Sequence, residues 1–116
     1  MTLPLALSTF STITLAAQCS SDSGAQFCLD SGAAWDMRAQ YCQYGWNTIN
    51  GRVGVDSTGN VGQIFRNGIF INQQECWNIL EDILNSCYGN TNSGSWRLHG
   101  LYVNFNYCLD ISNEND

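Results

Sequence analysis

Tyr102, Asn104 and Asn106 stand at alternate positions near the end of this 116-residue chain and are its best-placed groups for holding a neutral, hydroxyl-rich ligand. A sugar ring offers a C–H surface that an aromatic face covers and hydroxyls that amides bind in fixed geometry, and such sites combine apolar lining with a few placed polar groups. Asn50 and Arg52 would extend the set from a neighbouring strand, and Trp46, beside Asn47, offers a further aromatic surface. The competing readings are an ordinary solvated sheet face for the first three residues and a hydrophobic staple over a helix end for Trp46. Trp35, Trp77 and Trp96 read as core or packing residues.

Catalytic chemistry is poorly served. His99 falls in an expected turn with no serine or cysteine paired to it by motif. Glu81 and Asp82 are adjacent on an expected helix surface and point different ways, which suits solvation better than glycosidic cleavage. The run Asp56-Ser-Thr-Gly-Asn60 resembles a cation loop but lacks the distal bidentate acid, so it reads as a turn. There is no glycine-rich phosphate cradle. The chain is expected to be a binding protein without catalytic residues, cofactor or metal.

Six cysteines (Cys19, Cys28, Cys42, Cys76, Cys87 and Cys108) fix the compartment. No C-x-x-C pair occurs and the single histidine is nine residues from Cys108, so zinc-ligand spacing is absent. An even count in a small domain reads as three disulfides, with about 15 pairings open. Residues 1–17 are apolar or hydroxyl-bearing and uncharged in their side chains, and they end in Ala16-Ala17. That pattern reads as a secretory leader removed near Gln18, although its start carries no Lys or Arg. The alternative is an N-terminal segment that is disordered or adds to a sheet. A single secreted domain over 18–116 is therefore expected, with a short acidic tail from Ser112.

Ten acids face four arginines and no lysine, for a net charge of −6. Phosphate backbones and anionic lipids are recognised by cations that this chain lacks, so neither nucleic acid nor stable membrane insertion is expected. Charged residues make up only 12% of the chain, and thirteen asparagines supply much of the polar surface instead.

The elements that must position these groups are legible in the periodicity. Cys76, Ile79, Leu80, Ile83, Leu84 and Cys87 recur at helical spacing over 73–87, behind Asn72 and Glu75 in a capping-box arrangement, with Gly89 beyond. A first helix is predicted over 31–44, entered at Asp30 or Ser31 and stopped by Gly45, with Ala34, Trp35, Ala39 and Cys42 inward. Alternation marks strands over 49–55 and 101–107, with Leu101, Val103, Phe105 and Tyr107 on one face and Tyr102, Asn104 and Asn106 on the other. Residues 62–66 and 69–71 flank Asn67-Gly68, a dipeptide suited to a tight hairpin; Trp96-Arg97-Leu98 turns through His99-Gly100 into the last strand. Helices packed on an antiparallel sheet, an α+β fold, follow, and such a sheet can leave one face to solvent.

Residues Ala33, Ala34 and Trp35 through Cys42, the run Asn72 to Cys87, and Gly94-Ser-Trp-Arg97 before the last cysteine strand carry a resemblance. The chain resembles small secreted fungal proteins grouped around a mushroom glycan-binding protein, and is similar in architecture to the smut-fungus killer toxin family. The resemblance implies an α/β sandwich with an antiparallel sheet of about five strands and a role outside the cell. One branch implies binding of an extracellular glycan or glycoprotein, with subunits joining sheets edge to edge as a homodimer. The other implies toxicity through a membrane channel, where an exposed lysine matters; this chain has none.

Overall fold

The computed structural model describes residues 16–21 and 27–109. All but the last two residues of the expected leader, and the acidic tail, lie outside the described residues. In chain order the elements are β1 (Gln18–Ser20), α1 (Ser31–Tyr44), β2 (Gly51–Val55), β3 (Val61–Asn67), α2 (Gln73–Cys87), β4 (Ser93–Leu98) and β5 (Leu101–Leu109). The strands form one five-stranded antiparallel sheet in the order β1-β4-β5-β3-β2. Both helices cover one face, and the expected α+β architecture holds.

Local chemistry sets the helix ends. The Asp30 carboxylate accepts the Ala33 amide at 2.8 Å to cap α1, and the Gly45 amide closes its last turn on the Tyr41 carbonyl. At α2 the Asn72 side chain accepts the Glu75 amide at 2.9 Å, while the Glu75 carboxylate reaches back to the Ile71 amide at 2.7 Å. The reach-back falls one residue earlier than a standard capping box; a cap of this kind contributes about 1 kcal/mol. The apolar stripe of α2 is buried as its spacing predicts. That of α1 differs: Ala34 and Cys42 are buried with Met37 and Tyr41, while Trp35 and Ala39 are half-buried on its flank. Arg38 explains Trp35, because its guanidinium lies 5.3 Å from the Trp35 ring centre and 4.8 Å from that of Trp77. Its Nε also donates to the Trp77 carbonyl at 3.0 Å. Two aromatics thus flank a cation at the α1–α2 seam.

Two strand expectations are corrected. Asn67-Gly68 makes no hairpin: Asn67 is the last β3 residue, paired with Tyr102, and only Gly68 turns to positive φ. Residues 69–71 are no strand but lead into α2, with Phe70 buried and Ile69 and Ile71 exposed. The hairpin that does form joins β2 and β3 through the expected turn at Asp56–Asn60. The apolar residues of β2 are also placed unexpectedly: Val53 and Val55 are 61% and 63% exposed and lie on the helix-free face of this edge strand. The β4–β5 hairpin matches expectation, with His99 and Gly100 both at positive φ as a two-residue turn requires.

The core lies between the sheet and the two helices and is closed by three disulfides. Cys42–Cys76 joins the end of α1 to the start of α2, Cys19–Cys87 ties β1 to the end of α2, and Cys28–Cys108 ties the segment before α1 to β5. Gly94 lets α2 approach β4, since a Cβ there would lie 2.8 Å from both Cys87 Sγ and Ile83 Cγ2. Arg66 of β3 is buried in this layer, with Nε donating to the Tyr41 hydroxyl at 2.8 Å and another nitrogen to the Gly68 carbonyl. No carboxylate pairs with it among the described residues.

Candidate functional site on the helix-free sheet face

Antiparallel register decides which side chains share a face. Along β5, Leu101, Val103, Phe105 and Tyr107 are buried under the helices, and Tyr102, Asn104 and Asn106 are half-buried on the opposite side. Asn104 stands between Ser95 of β4 and Phe65 of β3, Asn106 between Ser93 and Gln63, and Tyr102 between Arg97 and Asn67. The row through Asn104 continues to Gln18 of β1 and Gly51 of β2. Amides, hydroxyls, one exposed phenylalanine and one arginine therefore form a continuous surface across the sheet.

Its polar groups are held in place by their neighbours. The Asn104 side-chain amide donates to the Gly94 carbonyl at 3.3 Å. The Asn106 oxygen accepts the Cys108 amide at 3.1 Å, near the irregularity in β3–β5 pairing between Val61 and Gln63. The Arg97 guanidinium lies 4.4 Å from the centre of the Tyr102 ring, so one face of that ring is covered. At the hairpin end the surface dips into a cleft of about 310 Å³ lined by Asn67, Arg97, His99 and Tyr102 among others, near the lower end of small-ligand sites.

Charge is segregated between the layers. The described acids (Asp30, Asp36, Asp56, Glu75, Glu81 and Asp82) all lie on helices, a cap or a turn, and none is in a strand. Three of the four arginines (Arg52, Arg66 and Arg97) are in strands. Among the described strand residues, Arg97 is thus the charged side chain on the helix-free face, although the chain carries −6.

Other expected site residues are separated from this face. Arg52 is opposite Ile64, so it projects to the helix side, and β3 intervenes between β2 and β5. Asn50 precedes β2, and its carbonyl accepts the Arg66 amide at 2.7 Å. Trp46 is half-buried in the turn after α1 and packs on the core, the staple arrangement rather than an open stacking surface. Phe65, Gln63, Asn67, Ser95 and Arg97 are the face residues that the periodicity did not single out. Phe65 was readable in principle: Ile64 and Phe65 are consecutive apolar residues in a strand, so one of them must point away from the core.

Two concavities among the described residues lie away from this face. One of about 220 Å³, at the other end of β5, is lined by Tyr88, Asn90, Thr91, Tyr107 and the Cys28–Cys108 bridge. Its polar atoms are largely engaged: the Tyr88 hydroxyl donates to the Leu29 carbonyl at 2.6 Å, and the Thr91 hydroxyl lies 3.4 Å from that of Tyr107. Burial raises the pKa of both phenols, with the Thr91 contact opposing it at Tyr107. The other, of about 340 Å³ between α2 and β4, is lined by Glu75, Asn78, Ile79, Asp82 and Trp96. No cluster of three or more His, Cys, Asp or Glu side chains able to hold a metal occurs among the described residues, and none of their helices is long and apolar enough to cross a membrane.

No curated protein matches the chain. A family model described as an alpha-galactosyl binding lectin matches residues 29–109, from the residue before the α1 cap to the end of β5. That span holds both helices, four of the five strands and the whole candidate face except β1. A binding protein rather than an enzyme is what such a match points to, and three disulfides agree with an extracellular setting. With the match covering well over half its length, the chain belongs to the alpha-galactosyl binding lectin family.

Proposed function

We propose that this protein is a secreted lectin that holds a glycan ending in an α-galactosyl unit on the helix-free face of its sheet. The observation that carries the reading is the register that lines up Tyr102, Asn104 and Asn106 with Asn67, Phe65 and Gln63 on one nearly uncharged surface. Sugar hydroxyls would meet the Asn104 and Asn67 amides and the Arg97 guanidinium, and the apolar side of a pyranose would lie on Phe65. Each neutral hydrogen bond contributes about 0.5–1.5 kcal/mol, so recognition needs several together. The α-galactosyl unit comes from the family to which the chain belongs.

The test is an array of galactosides differing only in anomeric configuration. Binding confined to α-linked termini is expected, and Asn104→Ala or Tyr102→Ala should weaken it by about tenfold, which corresponds to about 1.4 kcal/mol, with thermal unfolding unchanged. Full affinity in both variants would remove the sheet face from consideration. Two subunits joined along a sheet edge belong to the same reading; β2 is the edge on offer, because β1 is three residues long and tied down beside Cys19. Growth inhibition of fungal cells without any glycan binding would favour the channel-directed toxin instead.

A further inference from the structure

We infer that the leader is cut after Ala16, and that the new α-ammonium of Ala17 forms an ion pair with Asp82 that locks the N-terminus onto α2. The inference rests on the expectation of a leader and is independent of the glycan reading.

The backbone nitrogen of Ala17 donates to Asp82 Oδ2 at 2.9 Å. Ala17 is half-buried against the core, whereas Ala16 is exposed. The next residue begins β1, and the one after it is bonded to Cys87, so the chain is fixed from Ala17 onward. Asp82 lines the cleft that also holds Glu75, Asn78, Ile79 and Trp96. No cation pairs with Asp82 among the described residues, whose only ion pair is Arg38 with Glu81 at 3.6 Å. The Ser86 hydroxyl, at 3.3 Å, is its other hydrogen-bond donor there. The Asp82 carboxylate thus holds a nitrogen that is a neutral amide while the leader is attached.

Sequence places the cut at the same bond. A peptidase that demands small side chains at the last and third-last leader positions finds Ala16 and Thr14 by cutting after Ala16, but Ala17 and the larger Leu15 by cutting one residue later. Hydrolysis consumes one water. The Ala16 carbonyl carbon leaves as a carboxylate, and the Ala17 nitrogen takes both hydrogens to become an ammonium. Its bond to Asp82 then changes from amide–carboxylate to ammonium–carboxylate, with charge on both partners. Cleavage would tighten the docking of the segment it releases.

The chain has no lysine, so an amine-selective reagent marks the α-amine alone. Full-length protein secreted from a eukaryotic host should begin at Ala17 by N-terminal sequencing and non-reduced intact mass. Acetylating that amine should lower the unfolding temperature by about 4 °C. Asp82→Asn should cost about as much, and the two together no more than one alone. Should Asp82→Asn fail to fold, the acetylated wild-type protein still carries the test. A start at Gln18, detectable as a cyclised terminus lighter by one ammonia, overturns the placement, as does any other cut. Additive losses, or no loss on acetylation, overturn the ion pair. A chain that retains residues 1–16 overturns the leader itself.

Discussion

Asp56 shows how much of this fold hangs on single polar side chains. One carboxylate oxygen accepts the Thr58 hydroxyl at 2.7 Å and the Thr58 and Asn60 amides at 2.9 and 3.0 Å, and the other takes the Asp30 amide at 3.0 Å. The β2–β3 turn is thereby tied to the cap of α1. The Thr58 hydroxyl first, helped by the three amides, holds the carboxyl at about 2 against the opposing effect of desolvation. A folded-state value below the unfolded one, about 3.9, means the stabilisation is full above about pH 4 and fades as pH falls toward 2. Asp56→Asn should therefore lower the unfolding temperature at pH 7 and match the wild type near pH 2, as calorimetry across that range would show. Tyr41 performs the same service inside the core: its hydroxyl accepts from buried Arg66 and donates to the Ile49 carbonyl, both at 2.8 Å. Tyr41→Phe leaves a buried cation short of an acceptor and should cost about 1–3 kcal/mol in denaturant unfolding, with glycan binding intact.

At the scale of elements, helix-to-sheet contact is set by where bulk is missing. Gly94→Ala would drive a methyl group into Cys87 and Ile83, so α2 must lift from β4, at about 1–3 kcal/mol. Chemical denaturation should show that loss, and an unchanged midpoint would mean the seam is looser than its distances indicate. The sequence made α2, β5 and the His99-Gly100 turn legible because each follows one local rule: helical spacing between caps, strict alternation, and a two-residue turn. It misled at Asn67-Gly68, where a local turn signature was overridden by the pairing of Asn67 with Tyr102 two strands later. The three-residue β1 is too short to show alternation and exists through Cys19 and its pairing with β4. The site was half legible for the same reason. Alternation within β5 reveals its own face residues, but which side chains β3 and β4 set beside them depends on register. Arg52 was misassigned because β2 turns its valines, and not its arginine, to the open side.

For the whole molecule, the separation of charge from the proposed binding face yields a distinctive behaviour. Net charge is −6, yet the described acids lie on helices, a cap and a turn, while the helix-free face presents Asn67, Asn104, Asn106, Gln63, Ser95 and Phe65 with Arg97 as its charged group. At physiological ionic strength the screening length is about 8 Å, and the helix acids Asp36, Glu75, Glu81 and Asp82 lie in the layer behind the sheet, with packed layers about 10 Å apart. A neutral galactoside carries no charge for the remaining field to act on. Its affinity should therefore change by less than about twofold between 20 and 500 mM salt, by calorimetric titration at constant pH. A binder working through the acidic cleft beside Asp82 would behave differently: it would prefer a cationic ligand and weaken steeply over the same range. Salt-insensitive binding, lost in Asn104→Ala and kept in Asp82→Asn, would place recognition on the open face of the sheet. A steep salt dependence would move it to the helix side.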